Sequence, residues 1–195
     1  MTMIAQERPT TEPGGRDPAP GALALVQAFL NSTDLEEGWD RFSSPEALRD
    51  WLVERGLLEA SVALTDVDLS RALAVREAIR EVLYANNGGE ADAAAVATLN
   101  DYAAAAPLLL RFDDELVAGV VPGIGGLDGA LARLFAIILA AQIDGTWPRL
   151  KACRNDVCRW AFYDASKNRS GHWCTMAICG SRRKTRAYRA RRREG

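Results

Sequence analysis

Histidine occurs once in the 195 residues, as His172, and aromatic side chains make up only 7%. With one imidazole, no Gly-x-Ser-x-Gly elbow and no phosphate loop ending in Lys-Ser/Thr, nothing in the chain is assigned as catalytic, and it is read as a non-enzyme. The first twenty residues lack the basic start and apolar run of a secretory signal. This implies a cytoplasmic protein whose cysteines sit in a reducing compartment. Long apolar runs are scarce too: the most apolar stretch, Leu131 to Ile143, contains Arg133 and falls short of the roughly 20 residues a bilayer span needs. It is expected to be a buried helix, with no membrane partner.

What is present is enough for one sizeable core plus a small appended module. Apolar residues are 48% and charged residues 26%, ordinary values for a soluble globular protein, so disorder of the whole chain is excluded. The net charge of -2 conceals a division. Residues 149–195 hold 14 Lys+Arg against 3 Asp+Glu, or +11, and the preceding 148 residues carry -13. An acidic body with a basic end points to a polyanionic partner at that end only.

Along the chain, residues 1–21 hold four prolines and three glycines and are expected to be disordered. A helical domain over 22–147 follows. Leu23, Leu25, Val26, Phe29 and Leu30 form an apolar stripe that ends at Asn31, Ser32 and Thr33. Ser44 and Pro45 begin a second helix that stops at Gly56. A third is predicted from Asp68 to Asn86, with Asn87, Gly88 and Gly89 as its stop, and an alanine-rich fourth from Glu90 to Ala106. Leu108–Phe112 and Leu116–Val121 then read as a small β-hairpin. Glycines 123, 125, 126 and 129 read as a flexible connection into a last helix, Leu127 to Asp144. The third helix carries Arg76 and Arg80 on an otherwise core-like pattern. They are the candidates for binding an anionic small-molecule effector, or else pair with acidic residues of the body.

All four cysteines fall in the last quarter as two pairs, Cys153-x4-Cys158 and Cys174-x4-Cys179, separated by 15 residues. Ligand pairs on tight turns with a longer excursion between them are how short modules supply a tetrahedral zinc site. Two disulfides or four core thiols are the alternatives, but a reducing compartment disfavours the first and regular clustering the second. Structural Zn2+ on Cys153, Cys158, Cys174 and Cys179 is the expectation. His172 is expected beside that site, as a partner of a ligand or facing phosphate, with Trp160, Phe162, Tyr163 and Trp173 as a miniature core. A module whose folding energy comes from metal is expected to be unfolded without it.

Asp164, Ser166, Asn168, Trp173, Cys174, Met176, Cys179, Gly180, Arg182 and Lys184, in that spacing, resemble the C-terminal signature of bacterial CGNR zinc finger proteins. Leu23–Asn31, the helix from Ser44-Pro45 to Leu57 and the helix bearing Arg76 resemble their usual companion, the ABATE domain of stress-induced transcription regulators. Ser181 stands where the family name has Asn; serine can cap a helix but reaches less far. The resemblance implies a DNA-binding transcription regulator. The fold class expected is mainly α with a small β-hairpin, followed over 148–195 by a treble-clef-like or zinc-knuckle module with a basic C-terminal helix.

On that helix Arg182, Arg186, Arg189 and Arg193 would share one face, and Lys184, Tyr188 and Arg191 a second. Arg183 would lie with Ala187 and Ala190 on the third. Arg182, Arg183, Lys184, Arg186, Arg189, Arg191 and Arg193 are the candidate nucleic-acid contacts. The competing reading is a zinc-stabilised RNA-binding or protein-interaction module. A homodimer through the acidic body is expected, because one finger offers a small footprint on DNA.

Overall fold

Capping chemistry decides where the helices begin. The computed structural model describes residues 16–181, and its described residues form five helices and three two-stranded antiparallel ribbons. In chain order these are α1 (Leu23–Leu30), β1 (Thr33–Asp34), β2 (Trp39–Asp40), α2 (Pro45–Glu54), α3 (Asp66–Asn86), α4 (Ala93–Ala105), β3 (Leu108–Phe112), β4 (Ala118–Pro122), α5 (Gly126–Ile143), β5 (Leu150–Ala152) and β6 (Ala161–Tyr163). Ser44 Oγ accepts from the Ala47 amide at 3.2 Å and Pro45 opens α2 at the expected place. Gly56, with φ +65°, ends it, and Leu57 N donates back to Leu52 O at 2.9 Å. α3 starts two residues before the expected Asp68. Thr65 and Asp68 form a reciprocal capping box that places Asp68 inside the first turn. Asp92 caps α4, three residues after the expected start at Glu90.

The core lies where α1, α3 and α5 pack on one another, with α2 against α3 and α4 against α3 and α5. Phe29, Phe42 and Trp51 fill one end, their ring centroids 5.4 to 5.8 Å apart. The β3–β4 hairpin is present as expected, pairing Leu110 with Val120. Of the glycines expected to connect flexibly into the last helix, Gly126 and Gly129 lie inside α5 and Gly125 is its N-cap. A Cβ on Gly129 would stand 2.3 Å from Ile124 O, so this glycine lets the turn close directly on the helix.

α5 is 18 residues long, so by length and composition it could cross a membrane, contrary to the shorter stretch read from the sequence. It is instead packed as a bundle member. Leu127, Ala130, Leu131, Leu134 and Ala141 are buried, and Arg71 forms an ion pair with Asp128. Its burial is one-sided, since Leu139 and Ile143 are exposed.

Two features depart from the expected division of the chain. Residues 16–21 belong to the fold, correcting the disordered segment drawn to residue 21: Ala19 is buried and its amide donates to Gln27 Oε1 at 2.6 Å. The remainder of that segment, 1–15, lies outside the described residues. The apolar core also runs on past residue 147. Leu150, Ala152, Ala161 and Tyr163 join the helical core, while Phe162 points the other way, to the cysteines. Period-two alternation explains this, because one face of the β5–β6 ribbon packs on α1 and α3 and the opposite face roofs the cysteine cluster.

Candidate metal centre

Each cysteine pair is carried by a closed turn. In the first, Asn155 O accepts from the amides of Cys158 at 2.8 Å and Arg159 at 3.0 Å, and Cys153 N extends the ribbon by donating to Trp160 O. In the second, Thr175 Oγ1 accepts from Ile178 N at 3.1 Å, and Thr175 O from Gly180 N at 3.2 Å, around a π-type turn from Met176 to Gly180. Gly180 is there for space: a Cβ would meet Met176 Sδ at 3.1 Å and Trp173 at 3.4 Å.

The four Sγ atoms of Cys153, Cys158, Cys174 and Cys179 lie within 4.8 Å of one another, with Cys158–Cys174 and Cys174–Cys179 both at 3.6 Å. A tetrahedron with Zn–S bonds of about 2.3 Å has edges of roughly 3.8 Å, so the sulfur set fits zinc. Three of the four cysteines are buried, Phe162 closes the site, and Trp160 and Trp173 pack beside it. Asn155 Nδ2 donates to Cys179 Sγ at 3.6 Å, tying one turn to a ligand of the other. Without metal, hydrogen bonds from the Cys158 and Cys174 thiols hold Cys153 well below the usual thiol range. Cys158 and Cys174 are pushed up as the donors to it. Bound zinc would need all four as thiolates, so loading releases protons.

The segment between the pairs is held by a buried salt bridge. Lys151 Nζ donates to Asp164 Oδ2 at 2.8 Å and to the carbonyls of Arg169 and Gly171. Burial alone would raise the Asp164 carboxyl, but hydrogen bonds from Lys151, Ser166 and Gly171 hold it well below the usual carboxylate range.

The centre is then fastened to the helical body. Asn31 pairs with both polar atoms of the Ala161 backbone at 2.9 Å. Asn87 Nδ2 donates to Ala152 O at 2.8 Å and His172 O at 3.0 Å, while Asn87 Oδ1 lies 2.7 Å from His172 Nδ1. That places His172 against the body and outside the sulfur set. Arg159, with φ +48°, lays its guanidinium 3.7 Å from the Tyr84 ring. From the other end of the chain Arg16 reaches Cys174 O at 2.6 Å and Trp173 O at 3.0 Å, and stacks on Phe162 at 4.8 Å.

Of the two roles open to Arg76 and Arg80, the structure shows the pairing with acidic residues of the body. The two arginines are 4% and 2% exposed, and their donors are engaged internally: Arg76 with Asp40, Ser32 and Glu77, Arg80 with Glu77, Leu30 O and Arg159 O. Arg80 thus links α3 to the turn after Cys158. Arg182, Arg183, Lys184, Arg186, Arg189, Arg191 and Arg193 lie outside the described residues, which end at Ser181.

Residues 12–143 match the family model ABATE, described as "Putative stress-induced transcription regulator". The chain belongs to the ABATE family. Residues 149–192 match a second model, the CGNR zinc finger, which covers all four cysteines of the centre. A search of curated proteins finds no match. The ABATE segment supplies Asn31, Arg80 and Asn87, and the finger segment supplies the carbonyls they bind. In the sequence Asn31 and Asn87 read as helix stops, and nothing there marks Arg16 or Lys151. Asparagine at a helix end reads the same whether its amide meets water or another segment's backbone.

Proposed function

We propose that this ABATE protein is a DNA-binding transcription regulator. In it a structural four-cysteine zinc centre mounts the basic run Arg182–Arg193, and the helical body serves for assembly or sensing. The observation that carries this reading is the placement of charge relative to the metal ligands. The last ligand, Cys179, precedes Arg182 by three residues, in a chain whose final 47 residues carry +11 and whose remainder carries -13. A turn rooted in buried sulfurs fixes the chain just before the polycationic run begins, and phosphate neutralisation supplies most non-specific affinity for DNA. The family descriptions, a transcription regulator and a zinc finger, support the same reading.

Four thiolates leave no open coordination position for water, so the metal is assigned structure and no catalytic step. The body, which meets the finger through α1 and α3, is the part available for pairing two copies. A dimer would double a footprint that for one module is typically about 600–1,000 Å². The test is duplex binding by the zinc-loaded protein over a range of salt. If about six cations of the run meet phosphates, log K falls with log salt at a slope of roughly -5. A flat response, or preference for single-stranded RNA over every duplex, contradicts it.

A further inference from the structure

The two metal-binding turns share a feature that neither coordination nor packing explains. Both have the form Cys-x3-(Val/Ile)-Cys: Val157 directly precedes Cys158, and Ile178 directly precedes Cys179. Both aliphatic side chains face solvent, Val157 42% and Ile178 47% exposed, and Met176 in the second turn is 57% exposed. The aromatic residues of the unit do the opposite, with Phe162, Trp160 and Trp173 packed on the sulfurs. Ile178 is held by its amide's bond to Thr175 Oγ1, and Val157 and Ile178 each directly precede a cysteine of the cluster.

The surroundings indicate what covers them. Lys167 and Arg169 are exposed on the same unit, and between 150 and 181 the exposed acidic residue is Asp156 alone, Asp164 being buried against Lys151. The run from Arg182 starts immediately beyond. Exposed aliphatic residues on a unit whose exposed charges are mostly cationic, Asp156 beside Val157 being the exception, suit a partner that is anionic along its edges and apolar between them. A DNA duplex has that layout, with phosphates flanking base edges and thymine methyl groups.

We propose that Val157, Met176 and Ile178 form an apolar rim on the metal centre that contacts the bases of duplex DNA, while the neighbouring cations bind its phosphates. The proposal rests on the DNA-binding reading and assigns base contact to residues that carry no charge. It separates the two contributions experimentally, because phosphate contacts set the salt slope and apolar base contacts do not.

The experiment uses the full zinc-loaded chain and a labelled duplex selected from a random pool, with binding followed by anisotropy at several salt concentrations. The variants are the double substitution M176S with I178S, and V157S alone. All three sites are exposed, so zinc content and melting temperature should match the parent. The expected result is about a tenfold loss of affinity for the double variant at every salt concentration, with the slope unchanged. A smaller loss is expected for V157S. Affinities within twofold of the parent, or a flatter slope in place of a uniform loss, overturn the rim while leaving the DNA reading intact. If light scattering shows a dimer that the double variant loses without change in DNA affinity, the rim joins two copies and the proposal fails. A parent protein that binds no duplex removes the DNA-binding reading and the rim with it.

Discussion

The two cysteine pairs bind one site from different kinds of support. Cys153 and Cys158 flank the end of a ribbon whose inner face, Leu150, Ala152 and Ala161, is fully buried in the helical core. Cys174 and Cys179 sit on a segment without apolar anchorage of its own beyond the sulfurs, Phe162 and two tryptophans. That segment is held by hydrogen bonds to carbonyls, from Arg16, Asn87 and Lys151. The first half of the centre is therefore built into the body and the second is tied on to it. The finger is expected to depend on the body, with the loss of structure on zinc removal confined to its second half.

The largest effect expected from a single substitution falls on the tie between the halves. Lys151→Met leaves the Asp164 carboxylate buried without its cation, and breaking such a pair by removing one partner destabilises by about 3–5 kcal/mol. Thermal melting should show that loss, and Lys151→Met combined with Asp164→Leu should recover part of it. Next comes Asn87→Ala, which strips a donor from Ala152 O and His172 O and should cost about 1–3 kcal/mol. Its signature is faster zinc transfer to a chromogenic chelator as well as a lower melting temperature.

Arg16→Ala should act on one side only. Its guanidinium meets the carbonyls of Tyr163, Trp173 and Cys174, all in the finger segment, so zinc release should quicken several-fold while body melting stays within about 1 kcal/mol. Arg16→Lys should not restore slow release, because an ammonium has neither the planar face that stacks on Phe162 nor the three separate nitrogens that reach three carbonyls. The converse control is Ser44→Ala, which removes an N-cap far from the sulfurs. It should lower body stability by about 1 kcal/mol and leave zinc release unchanged.

These contrasts also mark what could be read from the sequence. Turn and cap chemistry is local, so Ser44, Gly56 and the cysteine spacing were legible, and so were the five helices and the β3–β4 hairpin. The boundary drawn at 147 follows a change of composition, and what a linear reading could not supply is the packing across it. Only in three dimensions does a three-residue strand such as Ala161–Tyr163 divide its side chains between two cores. Arg76 and Arg80 illustrate the same limit. A cation on an apolar helix face fits an effector site and an internal brace equally well until Asp40, Glu77 and Leu30 O are found beside it.

The claim that the metal centre is half built into the body is tested most directly by hydrogen exchange on the full chain before and after zinc chelation. Amides of β5 and β6, Leu150–Ala152 and Ala161–Tyr163, should keep their protection, whereas those from Asp164 to Ser181 should lose it. Loss of protection across 150–181 together, with the helical body unchanged, would show an autonomous finger and contradict the account.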